Sequence, residues 1–482
     1  MKKFNIFSKL LFTFSALAVS GPASSATLLE VYQQALQGDP QIHEAEARRL
    51  AALEAKPQAR GVYLPQIGFG GSYSTNTNSG PQFVVLPGGA QTVTVTTDSD
   101  ILDWGFDLRQ TVFRWDQIVN MRRADKTIAR AEAVREAAQQ DLIVRVAQRY
   151  FDVLAAEDRL NSIIADREAI ARQLEQAKQR FDVGLIAITD VQESQAAYDQ
   201  SVARDIGARR ELATARELLR EITGQYVDEL NAPGDDFPLL NPDPNNEKTW
   251  VDLSLSQNLN LVASRLDEGL ARDEISFRRN GHYPTVDLVA STGERDSDTT
   301  IDIPGLEPDF QSLSSTSDSI SLQFNLPLFA GGTTSSRVKE AVYLHRAARE
   351  QLQRVTRETE RAARDSYLGV LAEIARVNAL KQAVASSETA LQATQAGYEV
   401  GTRTIVEVLN SQFSLYVAIT NYYQSRYDYI MNALRLKQAA GTLQVQDLER
   451  IDQFLQDRPS PGQVRPTPRE SAGPIEGEAA GS

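Results

Sequence analysis

Residues able to do chemistry are sparse in this 482-residue chain. Its three histidines, His43, His282 and His345, are scattered and lack metal-ligand spacing. There is no cysteine, which removes thiol catalysis, thiolate metal sites, disulfides and an N-terminal lipid-bearing cysteine. Gly331-Gly332 follows a strand pattern and opens a helical one, but lacks the lysine of a phosphate loop. No nucleophile elbow occurs. Glu294, Asp296, Asp298, Asp302, Glu307 and Asp309 cluster without the spacing of a calcium loop, and read as a solvated external loop. What remains are carboxylates, arginines and amides near two glycine turns: Asp190 and Glu193 in one, Arg403, Glu407 and Asn410 in the other. In this setting, with no histidine, cysteine or phosphate loop beside them, such groups are suited to pairing ions and selecting charge. The expectation is no enzyme, no cofactor and no metal.

The elements that must position these groups come in two copies. RFDVGLIAITD at 180–190 returns as GYEVGTRTIVE at 397–407, and YLPQIGFGGSY at 63–73 returns as HYPTVDLVAST at 282–292. Each copy is a whole unit of short helices, a strand pair, a long helical region, a turn and more helix, far longer than a solenoid repeat. The first repeat spans 27–230 and the second 247–450, joined by a Pro-, Asp- and Asn-rich linker at 231–246.

No proline falls between Pro87 and Pro233, or between Pro327 and Pro459. Proline breaks helix interiors, so both spans can be helical throughout, and they read as helices over 114–223 and 333–441. Val370, Val377, Val384, Leu391 and Tyr398 recur every seven residues, as do Ile163, Ile170, Ala177 and Gly184. That period gives coiled-coil packing. A helix from Asp116 to Asp182 would be about 100 Å long at 1.5 Å per residue, enough to cross a cellular compartment.

Four stretches alternate instead: about 66–75, 101–112, 285–292 and 319–328. Leu102, Trp104, Phe106 and Leu108 against Asp103, Gly105, Asp107 and Arg109 is one example. The pattern fits a membrane β-strand, apolar outward and polar inward. It equally fits a soluble sheet with one wet face. Long polar loops, Thr75 to Asp100 and Gly293 to Asp318, join each pair.

Targeting and charge narrow the setting. Lys2, Lys3 and Lys9, the apolar run Leu10 to Val19 and the small residues Ser24, Ser25 and Ala26 form a secretory signal over 1–26, with the mature chain starting near Thr27. Those residues hold three lysines and no acid, so the net charge moves from −14 to −17 (−14 − 3). Such acidity disfavours nucleic acid. No other stretch is long and apolar enough for a membrane helix. The Pro- and Gly-rich segment 451–482 reads as a disordered tail.

Four strands cannot close a barrel, and a bilayer tolerates no open sheet edge. Membrane insertion therefore demands oligomerisation. A dimer gives eight strands, whose interior side chains fill; a polar inner face favours twelve strands around water, hence a trimer.

The order of elements and the two turns, RFDVGLIAITDVQ at 180–192 and GYEVGTRTIVEVLN at 397–410, closely resemble the TolC-type outer-membrane channels of Gram-negative bacteria. The resemblance covers roughly residues 27–450. It implies a mainly α chain with a membrane β-barrel: a homotrimer with a twelve-stranded barrel in outer-membrane lipid and an α-helical tunnel through the periplasm. It implies an exit duct for drugs or secreted proteins, recruited by a periplasmic adaptor and an inner-membrane efflux pump or ABC transporter. By position it places a gate latch on Thr189, Asp190, Tyr398 and Arg403, with Gln173 facing Gln395 where the family has an acid. An arginine–aspartate pair with a tyrosine hydroxyl makes a directional, breakable contact. It places a selectivity ring at Glu407 and Asn410, only one of which is acidic here; carboxylate rings favour cations. It places adaptor docking on Val183, Gly184 and Leu185 with Val400, Gly401 and Thr402. A periplasmic coiled-coil adaptor or scaffold would share the signal and the heptads, but has no use for four amphipathic strands.

Overall fold

The computed structural model describes residues 25–456, apart from 87, 228, 235 and 236. Residues 1–24 of the expected signal sequence and the tail beyond 456 lie outside the described residues.

Three short helices open the chain: α1 (Leu28–Gly38), α2 (Pro40–Leu53) and α3 (Ala55–Gly61). Thr27 and Glu30 form a capping box on α1, and Asp39 caps α2 with Pro40 in its first turn. A hairpin follows, β1 (Gln66–Leu86) and β2 (Gly89–Phe113), then α4 (Trp115–Asp182) and α5 (Ile188–Thr223). After β3 (Ala232–Pro233) the plan repeats: α6 (Glu247–Gln257), α7 (Leu259–Arg278), β4 (Thr285–Asp302), β5 (Asp309–Asn325), α8 (Thr333–Glu399) and α9 (Ile405–Ala439). The chain closes on α10 (Val445–Asp452) and β6 (Leu455–Gln456).

The strands form one antiparallel sheet in the order β1-β2-β4-β5. They run well past the boundaries expected from sequence. Thr75 to Asp100 and Gly293 to Asp318, read as loops, are mostly strand, with the register unbroken from Gln66–Arg109 to Leu86–Gly89 and from Thr285–Asn325 to Ile301–Asp309. Their hydrophobics, such as Phe83, Val93, Val95, Phe310 and Leu313, are few and set among long runs of Ser, Thr, Asn and Asp, so the amphipathic signal is weak, yet threonines suit a strand and hydroxyls pair across it. Ser79 and Thr96 lie 3.0 Å apart, and Thr75 donates to Asp100 at 2.7 Å. In the other direction β5 stops at Asn325 rather than 328, because Pro327 has no N–H to offer the ladder.

Directly opposed residues share a face. One face carries Ile67, Phe69 and Tyr73 on β1, Leu102, Trp104, Phe106 and Leu108 on β2, Leu288 on β4, and Ile320, Leu322 and Phe324 on β5. Most are well exposed, Ile67 at 71% and Ile320 at 82%. Between β2 and β4 this apolar band steps along the strands, since Leu108 faces Ala290 whereas Leu102 faces Asp296. A band that steps from strand to strand is what tilted strands present to a flat slab.

α4 packs antiparallel on α5, and α8 on α9. The main core sits midway along α4, where Leu142, Val146, Tyr150, Phe151 and Leu154 meet α1, the end of α5, and Ile430 and Leu434 of α9. The segment expected as the linker between the two halves also packs against this core. Tyr150 donates to the Asn231 carbonyl at 2.7 Å, and Ala232 and Pro233 pair with Gln456 and Leu455. Residues 451–456, assigned from sequence to a disordered tail, are ordered: Asp452 accepts from the backbone N–H groups of Leu28 at 2.8 Å and Leu29 at 2.9 Å. Toward the sheet, α4 is tied to α7 by Arg123–Glu274 at 2.9 Å and Lys126–Asp273 at 2.7 Å. No helix among the described residues is long and apolar enough to cross a membrane.

Candidate functional site

Both helix pairs reverse at one end through turns of matching construction. In the first, the Gly184 N–H donates to the Phe181 carbonyl at 2.8 Å and the Leu185 N–H to Arg180 at 2.9 Å. In the second, Gly401 donates to Tyr398 at 3.1 Å and Thr402 to Gly397 at 2.9 Å. These are paired 5→2 and 6→1 bonds around a left-handed glycine, with φ +76° at Gly184 and +80° at Gly401. The repeated sequence thus encodes a repeated backbone motif. Val183, Leu185 and Val400 project from the turns at 69%, 73% and 75% exposure. Apolar side chains held that open are suited to a partner surface.

The helices leave the turns differently. Thr404 caps α9, its hydroxyl accepting from the Glu407 N–H at 3.4 Å, while Ala187 gives α5 no side-chain cap. Arg403 donates to Glu407 at 2.9 Å, one turn along. Glu407 therefore serves as cap partner and ion-pair partner together. Asn410 is exposed one turn further, on the same side of α9. Thr189 lies 3.5 Å from the Asp190 carboxylate, and the Asp190 carbonyl accepts from Ser194 at 2.9 Å.

Within one chain, the expected latch residues gather at the tips without being joined. Among the described residues Arg403 pairs with Glu407 and not with Asp190, and Tyr398 lies under the Arg180 guanidinium at 5.2 Å rather than against Asp190. Gln173 is half-buried and Gln395 exposed, with no bond between them. An exposed i,i+4 pair such as Arg403–Glu407 contributes under about 1 kcal/mol, so it leaves Arg403 free to change partners.

Sequence reasoning passed over Arg180, Thr404 and a polar group made of the buried Asp166 and Gln412 with the half-buried Arg204. Asp166 had left a trace: it falls on the stripe Ile163, Asp166, Ile170, where an apolar residue is expected. Burial, and then the nearby Asp166 charge, raise the Tyr416 phenol above its ordinary pKa, so it stays neutral. No group of acidic or histidine side chains among the described residues could hold a metal.

The sequence profile described as "Outer membrane efflux protein" matches residues 31–225 and again 250–442, one match in each half. This chain belongs to the outer membrane efflux protein family. Outer membrane protein TolC of Escherichia coli (strain K12) is 37% identical to it over 475 residues, covering 96% of this chain and 93% of that protein. Alkaline protease secretion protein AprF of Pseudomonas aeruginosa is 27% identical, covering 92% and 90%. Among solved structures, the outer membrane protein VceC of Vibrio cholerae has a TM-score of 0.67 at 19% identity, covering 86% of this chain and 96% of that one. The CmeC outer membrane channel of Campylobacter jejuni has a TM-score of 0.68 at 14% identity, covering 94% and 97%. As an outer membrane efflux protein the chain is an export duct of the outer membrane, and its paired turns are the parts of that duct farthest from the sheet.

Proposed function

We propose that three copies of this chain close their sheets into a twelve-stranded barrel in the outer membrane, with α4, α5, α8 and α9 continuing the lumen as a periplasmic tunnel. The observation that carries this is the sheet itself: β1 and β5 are unpaired edges beside an exposed apolar face. Edge strands of that length invite another strand. Symmetric closure with copies of the same chain satisfies both edges at once. Mature protein extracted in mild detergent from outer membranes should have three times the chain mass by native mass spectrometry. A monomer in the soluble periplasmic fraction refutes the reading and leaves the coiled-coil adaptor instead.

In the assembled duct the tips form the entrance. Arg403, released from Glu407, reaches Asp190 or Thr189 of a neighbouring coil, with Tyr398 and the Gln173–Gln395 amides adding weaker contacts. Three Glu407 carboxylates and three Asn410 amides ring the constriction and favour cations, less strongly than a ring with acids at both positions. The exposed turns at Val183, Gly184, Leu185, Val400, Gly401 and Thr402 receive a periplasmic adaptor, itself coupled to an inner-membrane transporter. The cargo is small molecules, secreted protein or both, in line with a family of efflux proteins and with a relative, AprF, named for alkaline protease secretion.

A further inference from the structure

The two helix pairs of one chain are cross-linked by side chains at three levels. Arg435 donates to Gln148 at 2.8 Å, and Tyr427 to Asp158 at 2.5 Å. Nearest the tips, Gln412 donates from its amide nitrogen to both the carbonyl and the carboxylate of Asp166, at 3.2 and 3.1 Å. That last level is the most enclosed: Asp166 and Gln412 are each 2% exposed. Arg204 of α5 completes it, donating to Asp166 at 2.8 Å while its guanidinium lies 5.2 Å over the Phe413 ring. One carboxylate on α4 thus binds α5 and α9 together.

Toward the tips the cross-linking stops. Among the described residues no hydrogen bond joins α4 or α5 to α8 or α9 beyond Asp166–Gln412. The apolar cluster there, Leu174, Ala177 and Val191 with Ile186 and Tyr198, draws only on α4, α5 and their turn. The Arg180–Tyr398 ring contact remains. From Asp166 to the end of α4 is about 24 Å, and from Gln412 to the start of α9 about 10 Å, at 1.5 Å per residue.

We propose that Asp166, held by Arg204 and Gln412, is the fulcrum of the entrance: it fixes α9 to the α4/α5 pair and confines the opening movement to the helix ends below it. The contact is costly to separate, because breaking it strands the buried Asp166 carboxylate and the buried Gln412 amide without partners, although the Arg204 side chain is partly exposed. The exposed Arg403 contacts carry no such penalty. Strain applied at the tips is therefore released there and not transmitted up α9. This rests on the gate reading given above, and the experiment separates the two.

The chain has no cysteine, so single spin labels can be placed in the full-length trimer at Thr402→Cys, on the tip, or Asn421→Cys, above the fulcrum. Inter-protomer distances are measured by pulsed electron resonance. In protein carrying Asp190→Ala with Arg403→Ser, the tip distance should lengthen while the Asn421 distance keeps its value. Adding Gln412→Leu should lengthen the Asn421 distance too. Asp166→Asn, which keeps shape and loses charge, should do the same and serves if Gln412→Leu fails to assemble. Unchanged Asn421 distances in both variants overturn the fulcrum while leaving the gate intact. Unchanged tip distances in the latch-weakened protein overturn the gate reading, and the fulcrum falls with it.

Discussion

The glycine turns offer a test in which stability and docking should rank the same variants in opposite orders. Gly401 sits at φ +80°, and a Cβ built on it meets nothing within 4 Å. Gly184 is the same, at φ +76°. In the isolated chain a side chain at either position therefore costs backbone strain and no clash. For alanine that strain is about 1–2 kcal/mol per residue, or about 3–6 kcal/mol over three copies. Asparagine tolerates the left-handed region better, so its penalty is smaller, though its side chain is bulkier. Thermal unfolding of the detergent-solubilised protein, followed by circular dichroism, should rank wild type above Gly401→Asn above Gly401→Ala. If the turn must lie close against a partner helix, bulk and not strain decides docking. Efflux in cells, and cross-linking to the adaptor, should then rank wild type above Gly401→Ala above Gly401→Asn. The crossing of the two orders is the result that matters. Efflux that follows thermal stability, with alanine the worse variant in both assays, refutes close docking at this turn.

The proposed ring at Glu407 and Asn410 predicts that Glu407→Gln lowers the cation preference measured as a reversal potential across a salt gradient, and that Asn410→Asp raises it; anion preference in the wild-type protein would rule the ring out. Truncation after Gln456 should leave the melting temperature unchanged, whereas Asp452→Ala removes the carboxylate that caps α1 and should cost about 1–2 kcal/mol. Ala26 is held on both sides, its N–H donating to Glu229 at 2.8 Å and its carbonyl accepting from Asn231 at 3.2 Å. We therefore expect the mature chain to keep Ala26, one residue earlier than the signal pattern alone suggests. Intact mass spectrometry checks this; a mass that begins at Thr27 counts against it.

The parts of the fold legible in the sequence were those governed by period. Val370 and Val377 announced a coiled-coil seam by sevens, and both are buried. Pro87 and Pro233 bracketed a helical span because proline acts locally. Strand length was not legible, since Thr75, Ser79, Thr96 and Asp100 pair through hydroxyls and backbone and leave no hydrophobic rhythm. Nor was the contact between Asp452 and Leu28, which spans 424 residues and depends on the whole chain folding back. At the tips, residue types identified the turns, but partners did not follow from spacing. Arg403 has Glu407 one turn away and takes it, a choice that only the geometry of the Thr404 cap reveals.

The length of the hairpins bears on what happens to cargo after export. The apolar run Ile67, Phe69 and Tyr73 on one face of β1 gives way to a polar stretch, yet the strand continues to Leu86, with Phe83 and Val85 exposed on that same face near its end. Those further residues extend about 40 Å at 3.4 Å each, or about 30 Å in height for strands tilted near 40°. In the proposed trimeric duct the barrel wall would thus become a spout standing clear of the lipid. An oily molecule released at the lipid surface would partition straight back into it. Released from the rim of such a spout, it meets bulk water first and diffuses away before the membrane can recapture it.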